Sequence, residues 1–101
     1  MKQYDVFDVS KRKNRSELFI VLQAIALNDL SSVIVAPLAK LGRYKPIGII
    51  NPQVNVLGES YFIRTDRLAS VRATLLKAKV ATVEDAHYDV SKALERMFSG
   101  I

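Results

Sequence analysis

The sequence predicts a mainly β (α+β) fold that ends in one long helix. Three observations carry this expectation. The runs LFIVLQAIAL and VIVAPL are dense in β-branched and large apolar side chains, which suits strands covered on both faces. The segments QVNVL and SYFIRT flank a Gly-Glu pair at β-hairpin spacing. Residues 83–99 then change to a three- and four-residue apolar period, which is that of a helix.

Taken in chain order, QYDVFDVS alternates imperfectly, with Tyr4, Val6 and Asp8 on one face, and predicts a strand. KRKNR gathers four cations around Asn14 and is expected to be a hairpin tip held in water. SELFIVLQAIAL predicts a central strand with Gln23 as its one polar intrusion. After the turn NDLSS comes VIVAPL, a strand that Pro37 should end or place at an edge, because proline has no N–H for a ladder. Two glycines and two prolines in AKLGRYKPIGIINP make residues 39–52 an irregular loop with at most a helical turn. The hairpin of QVNVL and SYFIRT should turn at Gly58 and Glu59. In DRLASVRATLL, Val71, Ala73 and Leu75 alternate with Arg72, Thr74 and Leu76, which predicts a strand in the second half.

The last segment carries the clearest helix signals. Thr82 with Asp85 three residues later resembles a capping box, and Glu84 with Asp85 puts negative charge at the positive end of the helix dipole. Ala86, Val90, Ala93, Leu94 and Met97 form the apolar stripe, Lys92 and Arg96 suit the later turns, and Gly100 stands where a C-terminal cap belongs. A helix over 83–99 would be about 25 Å long.

At 101 residues, half of them hydrophobic and a quarter charged, the chain is expected to be one folded domain, 1–101. The longest apolar runs are interrupted by Gln23 and fall short of the roughly 20 residues a membrane helix needs. MKQYDVFDV has no signal-peptide pattern, so a cytoplasmic protein without a membrane partner is expected. The absence of Cys and the single His87 exclude disulfides, thiolate chemistry and His-based metal clusters, so neither metal nor cofactor is expected. Fifteen basic against ten acidic residues give a net charge of +5, which favours acidic partners.

Tests for catalysis return little. His87 faces Ser91 at helical spacing, but a hydrolase also needs an orienting acid and an oxyanion site. Glu84 and Asp85 serve the helix start, Asp66 between Arg64 and Arg67 reads as a salt bridge, and the four glycines are isolated. No catalytic residues are assigned, and the chain is expected not to be an enzyme. The remaining feature is ALERMFSGI, where Met97, Phe98 and Ile101 crowd the last positions. They either complete the core or form an exposed apolar contact surface.

The sequence resembles the CcdB-type toxins, through LFIVLQ, VIVAPLA, VNVLGESYFIRTDRLASV and ALERMFSGI in that order along the chain. The resemblance implies an SH3-like antiparallel barrel with a long C-terminal helix, assembled as a homodimer. It implies a toxin that binds the DNA gyrase A subunit and traps its cleaved-DNA complex, with no direct nucleic-acid ligand. Carried onto this chain, the gyrase contacts are Ala26, Leu27, Glu95, Ser99, Gly100 and Ile101. The implied inhibitor is a cognate CcdA-like antitoxin with a disordered acidic tail, and Lys11, Arg12, Lys13 and Arg15 are the residues expected to meet it. The best-known form of the family carries tryptophan where this chain has Ser99, and a neutral amide where it has Glu95. Two alternatives stay open: an mRNA endonuclease toxin on the same fold, and a homologue that only sequesters antitoxin.

Overall fold

Alternate residues along the first three strands leave for opposite faces of one sheet, and both faces are covered. In the computed structural model, which describes residues 1–10, 17–24 and 31–100, these strands are β1 (Asp5–Asp8), β2 (Leu18–Val21) and β3 (Ser32–Lys40). Val6, Ile20 and Ala36 enter one core cluster, whereas Phe7, Val21 and Val35 enter a second on the other face. This explains why LFIV is a continuous apolar run instead of an alternating one. The remaining strands are β4 (Gln53–Val56), β5 (Glu59–Ile63), β6 (Ala69–Arg72) and β7 (Ala78–Thr82), followed by the helix α1 (His87–Ser99).

The strand order is β4-β5-β3-β2-β1-β7, with β6 also paired to β3, and every pairing between strands is antiparallel. The fold is therefore mostly β, a curled antiparallel half-barrel with a C-terminal helix, as the sequence predicts. β3 curls the sheet by changing partner: Ser32 to Val35 pair with β6 on one side, and Leu38 to Lys40 pair with β5.

Pro37 sits between these two pairings, and the expectation that it ends the strand or marks an edge is corrected. β3 continues through it to Lys40, with Phe19 of β2 opposite Pro37. The Pro37 carbonyl accepts from the Arg64 N–H at 2.8 Å. Because N–H and C=O of one strand residue point the same way, the missing N–H falls on the side where β6 gives way to β5.

Three further expectations are corrected. The β4–β5 turn is Leu57-Gly58, not Gly58-Glu59: both turn residues have positive φ, 53° and 82°, and Glu59 already pairs with Val56. That is the pattern of a type I′ hairpin turn, whose twist matches the strands. In 66–76 the strand occupies the first half, and residues Ala73–Leu75 form a 3-10 turn closed by Leu76 N–H to the Ala73 carbonyl. The alternation there ends because Leu76, not Leu75, is buried. Thr82 makes no helix cap. Its hydroxyl donates to Asp5 Oδ1 at 2.7 Å, joining β7 to β1, and the helix starts from a 3-10 turn over Glu84–Ala86. β7 itself has no counterpart in the sequence expectation.

α1 packs against the 3-10 turns Gly48–Ile50, inside the stretch the sequence reads as irregular, and Thr65–Arg67, which follows the β5 strand. Its 13 residues span about 20 Å, and a helix of this length is marginal on its own. Burial of Val90 and Ala93, which are almost fully enclosed, is what holds it. Gly100 ends it as expected, with φ 70° and its N–H on the Arg96 carbonyl.

Candidate functional site

Two surfaces carry chemistry: the outer face of α1 and a basic cleft beside β3 and β5. On α1, Tyr88, Lys92, Glu95 and Ser99 recur at four-, three- and four-residue spacing and are all exposed. They form a stripe opposite Val90 and Ala93. The Lys92 ammonium lies 4.7 Å from the centre of the Tyr88 ring, a cation–π contact. At the end of the helix, Met97 is half-buried while Phe98 is 74% exposed. The terminal apolar cluster thus divides, with Met97 toward the core and Phe98 toward solvent. The Ser99 hydroxyl donates to the Glu95 carbonyl at 2.5 Å, turning that side chain back on its own helix.

Glu95, Ser99 and Gly100 therefore meet on one exposed surface. Ala26, Leu27 and Ile101 lie outside the described residues, as do the antitoxin candidates Lys11, Arg12, Lys13 and Arg15. His87 is engaged by Tyr4: its Nδ1 is 2.6 Å from the Tyr4 hydroxyl, with the two rings edge-on.

The cleft arises where β3 exchanges β6 for β5. Lys40 stands opposite Tyr61 in the ladder, and Glu59, two residues before Tyr61, shares that face. The Lys40 ammonium is 3.3 Å from Glu59 Oε2, and the Tyr61 hydroxyl donates to the same oxygen at 3.1 Å. These two partners hold the Glu59 carboxyl below its ordinary range, whereas partial burial, reinforced by Glu59, pushes the Tyr61 hydroxyl up. The opening has a volume of about 680 Å³ and is walled also by Arg43, Tyr44, Arg64 and Arg67.

One wall is braced by a polar network. Arg64 grips Asp66 through Nε at 3.0 Å and Nη2 at 2.7 Å, and Asn51 Nδ2 donates to the same carboxylate at 2.9 Å. The Arg64 guanidinium holds the Asp66 carboxyl well below the usual range, against a smaller opposing effect of burial. Asn51 also donates to the Ile63 carbonyl, and the Thr65 hydroxyl bonds the Ile50 carbonyl, tying the loop to β5. The Asp66 salt bridge read from the sequence is thus present, with Arg64 as partner. Among the described residues no three His or carboxylate side chains gather into a metal site.

Sequence reasoning missed this cleft. Its one local signal is KLGRYK, where cations flank an aromatic inside the stretch whose glycines and prolines mark it as loop. The other walls come from residues far apart in the chain, which the pairing of β3 with β2 and β5 unites.

A family model described as CcdB protein matches residues 3–100. Solved structures with the same fold include an endoribonuclease in complex with its cognate antitoxin from Mycobacterial species, 9% identical with TM-score 0.79, covering 98% of this chain and 95% of that one. The Mycobacterium tuberculosis toxin MazF-mt6 is 13% identical with TM-score 0.73, over 94% and 95%. Another endoribonuclease from Mycobacterial species is 10% identical with TM-score 0.75, over 98% and 91%.

These structures correct the expectation that the chain is not an enzyme, since endoribonucleases are built on this fold. A Ser–His pair or a carboxylate pair is legible in spacing along one element, whereas cations, carboxylates and phenols can be brought together by strand pairing, as Lys40 of β3 is with Glu59 and Tyr61 of β5 here.

Proposed function

The chain belongs to the CcdB family, and on that premise we propose that it is the toxin half of a toxin–antitoxin pair whose α1 end docks on the DNA gyrase A subunit and traps the cleaved-DNA complex. The observation that carries this reading is the exposed end of α1. Glu95, Ser99 and Gly100 share a solvent-facing surface with Phe98, while Val90 and Ala93 do the packing. Ser99 offers no aromatic anchor, and its hydroxyl is turned back on Glu95. Phe98 takes that role: a large aromatic left in water at a helix end is the kind of side chain that dominates an interface, where truncation commonly costs about 2 kcal/mol or more.

The inhibitor in this reading is a CcdA-like antitoxin with an acidic tail, drawn by the net charge of +5. One structure of this fold was solved with its cognate antitoxin, which supports a partner of that kind. The working unit is a homodimer, in keeping with the family and with a small chain that leaves large apolar side chains such as Ile34, Ile47 and Leu57 exposed.

The test is a cleavage assay with purified gyrase, supercoiled plasmid and the intact protein. Linear DNA should accumulate on denaturing the complex, and Phe98→Ala should reduce it at least tenfold at equal concentration. Unchanged plasmid at every concentration of the intact protein would refute gyrase poisoning.

A further inference from the structure

Beyond its gyrase reading, we infer that the cleft between β3 and β5 binds a short single-stranded RNA segment. Four cations line it, and two of them are uncommitted: among the described residues, Arg43 and Arg67 have no acidic partner within salt-bridge distance. Arg64 is committed to Asp66 through Nε and Nη2 only, and that network fixes its guanidinium plane against the wall. Phosphate oxygens suit such a row, because arginine meets them with two parallel N–H donors.

Aromatic rings alternate with these cations. Tyr44 follows Arg43 directly and is exposed, and Tyr61 stands opposite Lys40 in the ladder. Interleaved arginine and tyrosine is the arrangement that binds an unpaired strand, since every unstacked base has a face that an aromatic ring can cover.

The carboxylates decide between ribose and deoxyribose. Glu17 and Glu59 also wall the cleft. Their negative charge repels a bare phosphate chain, and an acidic peptide still more. A ribose 2′-hydroxyl supplies the donor that a carboxylate can accept, and deoxyribose has none. The Lys40–Glu59–Tyr61 cluster presents this acceptor already oriented.

The experiment is fluorescence anisotropy of the full chain with a labelled single-stranded octaribonucleotide of mixed sequence, over a range of salt. Binding should weaken as salt rises. The double variant Arg43→Ala/Arg67→Ala should weaken it at least tenfold and flatten the slope of log affinity against log salt by about 1.4, at about 0.7 per lost phosphate contact. Tyr44→Ala should weaken it several-fold, and DNA of the same sequence should bind at least fivefold more weakly. All three substituted residues are exposed, and circular dichroism of each variant confirms that the fold persists. No RNA binding at low salt, binding unaffected by the arginine substitutions, equal affinity for DNA, or displacement of RNA by an acidic peptide of much higher affinity would each overturn the inference.

Discussion

At φ 53°, Leu57 holds a left-handed backbone conformation that costs a non-glycine residue about 1–2 kcal/mol. Its side chain recovers little of this, being 75% exposed at the tip of the β4–β5 hairpin. Asparagine tolerates that conformation and is preferred before glycine in a type I′ turn. Leu57→Asn should therefore raise stability by about 1 kcal/mol in urea unfolding, although it removes a large apolar residue. Asp66 shows the opposite balance, since its carboxylate accepts from Arg64 twice and from Asn51 once. Its folded pKa is depressed, so its contribution is complete above its unfolded pKa of about 4 and is lost as pH falls through the folded value. Asp66→Asn should cost about 2 kcal/mol at neutral pH, and it should flatten the part of the acid unfolding profile below about pH 4. Asp5, the buried first residue of β1 beside β7, adds a second group of the same sign: burial raises its pKa, but Thr82, the Lys2 N–H and Lys79 together bring it lower. The acid limb of the Asp66 variant is therefore shallower, not absent.

For the elements, legibility followed locality. α1 was readable because its apolar period, Gly100 cap and dipole charges all lie within one short stretch. Its start was misread, since Thr82 signals a cap only if no stronger partner claims its hydroxyl, and Asp5 does so from 77 residues away. β7 went unseen because its five residues are neither buried nor strongly alternating, and pairing with β1 is what makes them a strand. The same locality argument governs stability in α1. Val90→Ala should cost about 2 kcal/mol, because the cavity lies in the core. Phe98→Ala should move the thermal midpoint by less than a degree or two, since the ring is mostly in water. Ser99→Trp should restore an aromatic to the exposed stripe and tighten gyrase binding by about 1 kcal/mol. Calorimetric unfolding and titration on these three variants separate the packing face from the contact face.

The whole molecule turns on β3, which serves two sheets' worth of partners. Its first half pairs with β6 and its second with β5, and β2 runs along its other side. The composition of VIVAPL showed a strand but could not show this double duty, because partner choice is a long-range property. The cleft was hidden for the same reason, although its KLGRYK wall was in plain view. The exposed helix end, by contrast, was legible as an alternative, and the structure divides it between Met97 inward and Phe98 outward. A homodimer should sediment at twice the 11.3 kDa chain mass at micromolar concentration, and a monomer there would contradict the assembly proposed. In the proposed function the end of α1 is a contact surface and not part of the core. Calorimetric titration of the gyrase A subunit with the intact chain and with a chain lacking Ser99 to Ile101 tests it most directly. The intact chain should bind and the shortened one should not, while its thermal midpoint stays within a few degrees of the original. Undiminished binding by the shortened chain would contradict it.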